Sequence, residues 1–234
     1  MGWRTTILNL AFNNHNIFTK DQLKDFDIYQ FGVLDGDSMY EISGILRQNQ
    51  IPFNRFHGFD VFTGMPKETE EPIFDPSWDP DIQPDTFNSL IRMNMKSPED
   101  CASYIQKNVQ SSFNSNYQNH NISVVPGLIE DTFPKQKNLR KAFYVDFDFD
   151  IYSPTKFAFN YLMENNLIVE GTFIGYDDWG GTPDSDTFKY GESRAHKEIC
   201  DKWGLKIQKL YETGAGYPSG IQNLWIVKEV INHV

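Results

Sequence analysis

The chain has 234 residues, 39% of them hydrophobic and 15% aromatic, which is enough apolar material for one sizeable core. Its 21 basic and 32 acidic side chains give a formal charge of −11, and this argues against nucleic acid and anionic membranes, whose binding needs clustered Lys and Arg. No apolar run approaches membrane-spanning length, the first residues lack the pattern of a secretory signal, and Cys101 and Cys200 lack CxxC spacing, so a cytoplasmic chain with reduced thiols is expected.

Residues 1–25 form a short mixed segment with Asn-rich punctuation, read as a cap on the domain or as a contact in a homo-oligomer. Phe26 to Val33 (FDIYQFGV) is apolar and β-prone and runs into the turn Gly32-Val-Leu-Asp-Gly36-Asp37-Ser38. Met39, Ile42, Ile45 and Leu46 then recur at helical spacing, with Asp37 or Ser38 as the expected N-cap. A strand, a glycine-containing turn and a helix N-terminus form the cofactor-cradling first unit of many doubly wound folds. The next strand, 54–60, ends in Asp60, which follows the turn at close to the spacing of about 20 residues at which an acid meets ribose hydroxyls. An acidic turn without the GxGxxG pattern is a poor cradle for pyrophosphate and suits a cationic nucleoside such as S-adenosylmethionine.

Residues 61–100 carry six prolines, and the stretch from about 64 to 96 reads as a lid-like insertion with Phe74, Trp78, Phe87 and Met93 as apolar contacts. Disorder is the plainer alternative, supported by the acidic, proline-rich composition, and the apolar contacts favour the lid. A helix start at Ser97-Pro98-Glu99-Asp100, a strand over 121–125 and an acidic pair, Glu130-Asp131, follow.

Lys141 to Gly181 is the most informative stretch. It reads strand, helix, strand, with Asp146, Asp148 and Asp150 leaving the first strand and Asp177-Asp178 leaving the second. Ligands of open parallel sheets bind outside the carboxyl ends of the strands, and several carboxylates converging there suit a hard divalent cation. Taken singly, each has a plainer reading: an acidic turn for Asp177-Asp178, a helix cap for Asp148, packing for Tyr152 and Trp179. Their joint occurrence at the ends of two strands joined by one helix favours a site. A helix over 193–203 and strands over 206–210 and 221–228 complete an α/β, Rossmann-like, doubly wound, mostly parallel sheet with an antiparallel edge. His57 is a secondary candidate for a general base, whereas His15, His120, His196 and His233 read as surface residues.

Four motifs in order, FGVLDGDS (31–38), HGFDVFTGMP (57–66), DFDIYSPT (148–155) and GYDDWGG (175–181), resemble the class I S-adenosylmethionine-dependent methyltransferases of the macrocin O-methyltransferase type. GLIEDTFP (127–134) and GESRAHKEICDKWGL (191–205) are similar to further segments of that family, so the resemblance spans about residues 26–228. Three positions depart from it: Gln30 stands where an acid is usual, Asp37 where a second glycine is common, and Trp179 where tyrosine is commoner.

The resemblance implies one methyltransferase domain over 26–234 and a cofactor-binding set of Gly32, Gly36, Ser38, Phe59, Asp60 and Asp146, with Asp60 on the ribose. It implies a Mg²⁺ site made by Asp148, Asp177 and Asp178, with Asp148 also the candidate catalytic base. The upstream acid Asp146 leaves open which of Asp146, Asp148 and Asp150 meets the metal. The activity expected is methyl transfer to a hydroxyl of a sugar or saccharide-containing small molecule, an ion-bound diol being the better nucleophile. A catechol-type phenol chelates the same ion and remains an alternative acceptor. A catalytically inactive S-adenosylmethionine-binding protein is the other alternative, motivated by Gln30 and Asp37.

Overall fold

A computed structural model describes residues 3–68, 87–113, 121–179, 188, 190–212 and 222–231. The chain opens with helix α1 (Trp3–His15), which presents Ile7, Leu8, Ala11 and Phe12 to the core. The short helix α2 (Lys20–Leu23) is closed by a capping box between Thr19 and Gln22. The segment 1–25, expected to be a mixed stretch, therefore carries two helices. Strand β1 (Asp27–Phe31) leads through the glycine turn into α3 (Asp37–Gln48). The N-cap of α3 is Gly36, left-handed at φ 92°, and not Asp37 or Ser38, so no side chain caps this helix.

Strand β2 (Arg55–Asp60) is followed by α4 (Ser89–Arg92) and α5 (Pro98–Ser112). Ser97 accepts the Asp100 N–H at the start of α5, with Pro98 in the first turn, as the sequence pattern indicated. Strand β3 (Asn121–Pro126), α6 (Ile129–Thr132) and a 3₁₀ turn (Phe133–Lys135) precede β4 (Ala142–Phe147) and α7 (Tyr152–Glu164). The chain then forms β5 (Phe173–Tyr176), α8 (Gly191–Trp203), β6 (Leu205–Glu212) and β7 (Asn223–Val230).

The strands form one sheet in the order β3-β2-β1-β4-β5-β7-β6. β1 to β5 run parallel, and β7 lies antiparallel between β5 and β6. The strand order reverses between β1 and β4, and a crevice at such a switch point is where ligands of this architecture bind. Both faces are covered, which explains why every residue of β1 and β4 is buried, Asp27, Gln30 and Asp146 included. One face packs Leu8, Phe12, Met39, Ile42, Leu46 and Ile105 from α1, α3 and α5. The other packs Ala158, Phe159, Leu162, Ile199 and Trp203 from α7 and α8.

Across that second face, Phe59, Phe31, Phe147 and Tyr176 stack from strand to strand with ring centroids 5.3 to 5.4 Å apart. Each such pair contributes about 0.5–1.5 kcal/mol beyond its buried area. The ladder holds the exits of β1, β2, β4 and β5 in fixed register just below the crevice.

The polar excursion after β2 is closed at its base. Asn88 donates to the Thr63 carbonyl at 2.8 Å and the Leu90 N–H to Phe62 at 3.2 Å, bringing residues 62–63 beside 88–90. Phe74 and Trp78 lie outside the described residues, Phe87 is exposed, and Met93 packs partly on the core. Among the described residues, no helix is long and apolar enough to cross a membrane.

Candidate active site at the β1, β4 and β5 exits

The crevice is bounded on one side by the turn after β1. Gly32 sits at φ 86°, and a Cβ there would lie 1.8 Å from the Asp148 carbonyl oxygen. Only glycine permits β1 and β4 to leave the sheet this close together. Asp60 holds the turn in shape: Oδ2 accepts the N–H groups of Val33 at 2.7 Å and Leu34 at 2.8 Å, and Oδ1 accepts that of Phe62 at 2.6 Å. These bonds take three of the roughly four lone-pair positions of the carboxylate.

Gln30, the departure from the family pattern, bridges the same turn by donating to Ser38 Oγ and to the Gly32 carbonyl at 3.0 Å. Its Oε1 is buried with no hydrogen-bond partner. The orphaned acceptor fits a cofactor that brings an ammonium group to this turn, and the uncapped N-terminus of α3 beside it fits that cofactor's carboxylate. Phe59 is placed differently from the other cofactor candidates. Its ring is wholly buried in the aromatic ladder, and it reaches the turn only through its carbonyl, which accepts the Gly32 N–H at 2.9 Å.

On the other side, β4 and β5 deliver the aspartates. Carboxylate oxygens of Asp148, Asp177 and Asp178 all lie within 4.8 Å of one another. Octahedral Mg²⁺ with ligands at about 2.1 Å places its ligand atoms about 3 to 4 Å apart, so small side-chain rotations suffice to fit the three groups around one ion. The cluster is short of positive charge. Burial, followed by the Asp177 charge, pushes the Asp148 carboxyl well above the usual range. Burial and then Asp150 do the same to Asp178. An all-oxygen set in that condition suits a hard cation.

The other two aspartates of the β4 exit lie to either side of this set. Asp146 is fully buried one strand pair lower, where Tyr144 Oη donates to it at 2.5 Å. Gly175 makes room for that tyrosine, because a Cβ there would lie 2.5 Å from the hydroxyl. Burial pushes the Asp146 carboxyl up to about 6, against the pull of Arg4. Asp150, at φ 65°, lies near Asp178, whose carboxyl its charge helps to push up.

Three charged side chains from other segments frame the β4 and β5 exits. Arg4 of α1 is only 5% exposed. Its guanidinium contacts Asp146 through Nε at 3.0 Å, Asp148 through Nη2 at 3.0 Å and Asp177 through Nη1 at 3.2 Å. The neighbouring Trp3 indole also donates to Asp177. Glu192, in the first turn of α8, accepts the Phe149 N–H at 2.9 Å and the Asp178 N–H at 3.3 Å. Glu68 accepts the Ser153 N–H at 2.9 Å and its hydroxyl, capping α7, whose own N-cap residue Ile151 supplies no side-chain bond.

None of these three has a local signature. Arg4 shares a helical face with Leu8, Ala11 and Phe12, and Glu192 opens a motif already similar to the family, so periodicity over 4–12 was the available signal for the first.

The histidine expectations are corrected in two places. His196 is buried, not on the surface: its Nδ1 lies 2.8 Å from Tyr176 Oη, and the rings of Trp179 and Trp225 pack on it at 4.9 and 4.8 Å. Burial lowers its pKa to about 3, so it is neutral. His57 is also fully buried, with Nε2 3.2 Å from Asp27 in the middle of the sheet, and it does not reach the crevice. His120 and His233 lie outside the described residues. Tyr152 and Trp179 are packing residues by burial, and Glu130 and Asp131 are exposed on α6.

Comparisons with known proteins agree with this fold. The chain matches the Macrocin-O-methyltransferase (TylF) family over residues 15–201. No curated protein sequence matches it. Among solved structures, it is similar to the O-methyltransferase NovP, with 17% identity and a TM-score of 0.58 over 96% of this chain and 78% of that one. It is similar to CalS11, a calicheamicin methyltransferase, with 18% identity and a TM-score of 0.59 over 96% of this chain and 80% of that one. It also resembles TomG from Streptomyces achromogenes, an O-methyltransferase solved in complex with SAM, with 13% identity and a TM-score of 0.51 over 96% of this chain and 79% of that one. At these identities the structures establish a shared fold, and the family match over most of the sequence establishes kinship: the chain belongs to the macrocin O-methyltransferase family and is an S-adenosylmethionine-dependent O-methyltransferase.

Proposed function

We propose that this enzyme methylates a hydroxyl of a sugar or saccharide-containing small molecule with the help of Mg²⁺ or another hard divalent cation. The observation that carries this reading is the convergence of Asp148, Asp177 and Asp178 within 4.8 Å, immediately beside the Gly32–Ser38 turn. Support for a sugar acceptor comes from a structural relative of the same fold, CalS11, described as a TDP-rhamnose 3'-O-methyltransferase.

In this reading Gly32, Gly36 and Ser38 line the cofactor turn, Asp60 keeps it closed and offers its remaining lone pair to the ribose, and Gln30 Oε1 accepts from the cofactor's ammonium group. Phe59 contributes through its main chain, and Asp146 supports the edge from below. S-adenosylmethionine supplies an electrophilic methyl group on its sulfonium. Asp148, Asp177 and Asp178 hold the divalent ion, whose charge makes a coordinated hydroxyl easier to deprotonate. Asp148 takes the proton, being the carboxylate among the three that lies on the cofactor side, with its carbonyl against Gly32. Positioning accounts for most of the remaining rate, since methyl transfer is an in-line displacement.

We place the domain at 26–234, with 1–25 as its cap and about 64–96 as a lid-like insertion. The stapled base of that insertion and the Asp35–Arg92 ion pair at 2.7 Å tie it to the cofactor turn. Free, buried Cys101 and Cys200 agree with a reducing, cytoplasmic setting and the net charge of −11 with small-molecule rather than nucleic-acid or membrane partners.

The test is transfer of labelled methyl from S-adenosylmethionine to two acceptor panels, one of glycosides and nucleotide-linked sugars and one of catechols, with Mg²⁺ and with EDTA. Transfer to sugars that EDTA abolishes is expected. Transfer confined to catechols would replace the acceptor, and transfer indifferent to EDTA would remove the metal.

A further inference from the structure

We propose that Arg4 is a tethered stand-in for the divalent cation, so that metal binding requires its guanidinium to leave Asp148 and Asp177. The inference rests on the metal reading above and adds to it a competitor supplied by the chain itself.

The geometry is that of direct competition. An ion ligated by Asp148 and Asp177 sits about 2.1 Å from a carboxylate oxygen of each, in the space between them. The guanidinium already bridges that space, with Nη2 3.0 Å from Asp148 Oδ2 and Nη1 3.2 Å from Asp177 Oδ1. Two cations facing the same oxygens repel, and each needs the lone pairs the other uses. Asp178, the third carboxylate of the set, is not among the residues Arg4 touches.

The tether is built so that release is local. Leu8, Ala11 and Phe12 anchor α1 in the core, with Phe12 packed against Phe143, Tyr144 and Phe173 at 4.9 to 5.9 Å. Arg4 lies one turn ahead of Leu8, on the same face, where α1 passes from apolar core to acidic edge. Only that first turn, with Trp3 on Asp177 and the Thr5 N–H on Glu41 at 2.9 Å, has to give way. Nε on Asp146 at 3.0 Å provides a second seat, deeper in the sheet, to which the guanidinium can remain attached. The contact thus supplies part of the missing positive charge at this edge without metal and lowers its affinity for metal.

The experiment is a Mn²⁺ titration of the full chain, read as loss of the free-ion EPR signal, in wild type, Arg4→Gln and Arg4→Lys. Calorimetry with S-adenosylhomocysteine reports that each variant is folded. Mn²⁺ is expected to bind Arg4→Gln at least tenfold more tightly than wild type, with Arg4→Lys between them and S-adenosylhomocysteine affinity unchanged within about threefold. Equal or weaker Mn²⁺ binding by Arg4→Gln overturns the competition and leaves the metal reading standing. No Mn²⁺ binding by wild type or either variant, with cofactor affinity intact, overturns both. If Arg4→Gln does not fold, hydrogen exchange of the wild type decides. Saturating Mg²⁺ is expected to speed exchange of the Ile7–Leu10 amides, which donate into the first turn of α1. Unchanged or slower exchange there overturns the proposal.

Discussion

The Glu192 carboxylate accepts the backbone N–H of Asp178 at 3.3 Å, and through its other oxygen that of Phe149 at 2.9 Å. One side chain from α8 thereby joins the exit of β5 to the exit of β4. It adds a side-chain clamp from outside both strands to the direct Asp177 N–H to Phe147 carbonyl bond at 3.0 Å.

Replacing Glu192 should therefore do more than lower stability. Glu192→Ala leaves the buried Asp178 N–H and the half-buried Phe149 N–H without this acceptor, at a cost of about 1–3 kcal/mol for the buried one. It also frees Asp178 to drift from Asp148. The expected outcome is a lower urea midpoint together with at least tenfold weaker Mn²⁺ binding, while S-adenosylhomocysteine affinity changes little. Weaker folding with unchanged Mn²⁺ binding would confine Glu192 to a structural role.

Asp178→Asn separates metal from cofactor. Asp178 faces Asp148, Asp150 and Glu192, whereas the turn of β1 is held by Asp60 and Gln30. Loss of Mg²⁺-stimulated methyl transfer by about 100-fold or more, with cofactor affinity within about threefold, is expected from removal of one ligand charge. Equal loss of both would make the Asp177-Asp178 pair part of the frame of the crevice.

Gly32→Ala tests the crossing of β1 and β4. The added methyl carbon meets the Asp148 carbonyl oxygen at 1.8 Å on a backbone at φ 86°, and neither atom can yield without separating the strands. Destabilisation of about 3 kcal/mol or more is expected, together with loss of S-adenosylhomocysteine binding. Thermal melts of the apo chain and calorimetry check the two halves.

His196 gives the fold a pH dependence of known sign. Burial lowers its pKa from 6.5 to about 3, so the unfolded chain takes up a proton that the folded chain refuses. Its contribution is fully present above pH 6.5 and is lost as pH falls towards 3. Between pH 7.5 and 5 the loss amounts to about 2 kcal/mol. Carboxyls such as Asp146 titrate in the same range with the opposite sign, so the comparison of wild type with His196→Gln isolates the histidine. The variant should lose less stability over that interval. Parallel urea midpoints for the two proteins would contradict this.

Much of the fold was legible in the sequence because it is written in local periods. The apolar runs 27–31 and 142–147 are strands covered on both faces, and Ser97-Pro98 announces α5. The two acidic exits were legible for the same reason, since each follows its strand directly. Helix α1 was not, because its polar residues are scattered round the helix and blur the apolar face. The contacts of Arg4 with Asp148, Glu68 with Ser153 and Glu192 with Phe149 join residues 43 to 144 positions apart, and Glu192 reaches both exits by accepting from main-chain N–H groups that no residue type signals. His196 misled for a related reason: a polar residue between Ala195 and Lys197 looks exposed until the aromatic wall of Tyr176, Trp179 and Trp225 closes over it.

The proposed cofactor turn at the end of β1 adjoins the proposed cation set at the ends of β4 and β5. The most direct measurement is a crystal structure of the chain grown with S-adenosylhomocysteine and Mn²⁺, with the ion located by its anomalous signal. The expected result is a peak ligated by Asp148, Asp177 and Asp178, the nucleoside lying over Gly32–Ser38, and the Arg4 guanidinium withdrawn from Asp148 and Asp177. A cofactor bound at that turn with no anomalous peak, and Arg4 still bridging the two aspartates, would contradict it.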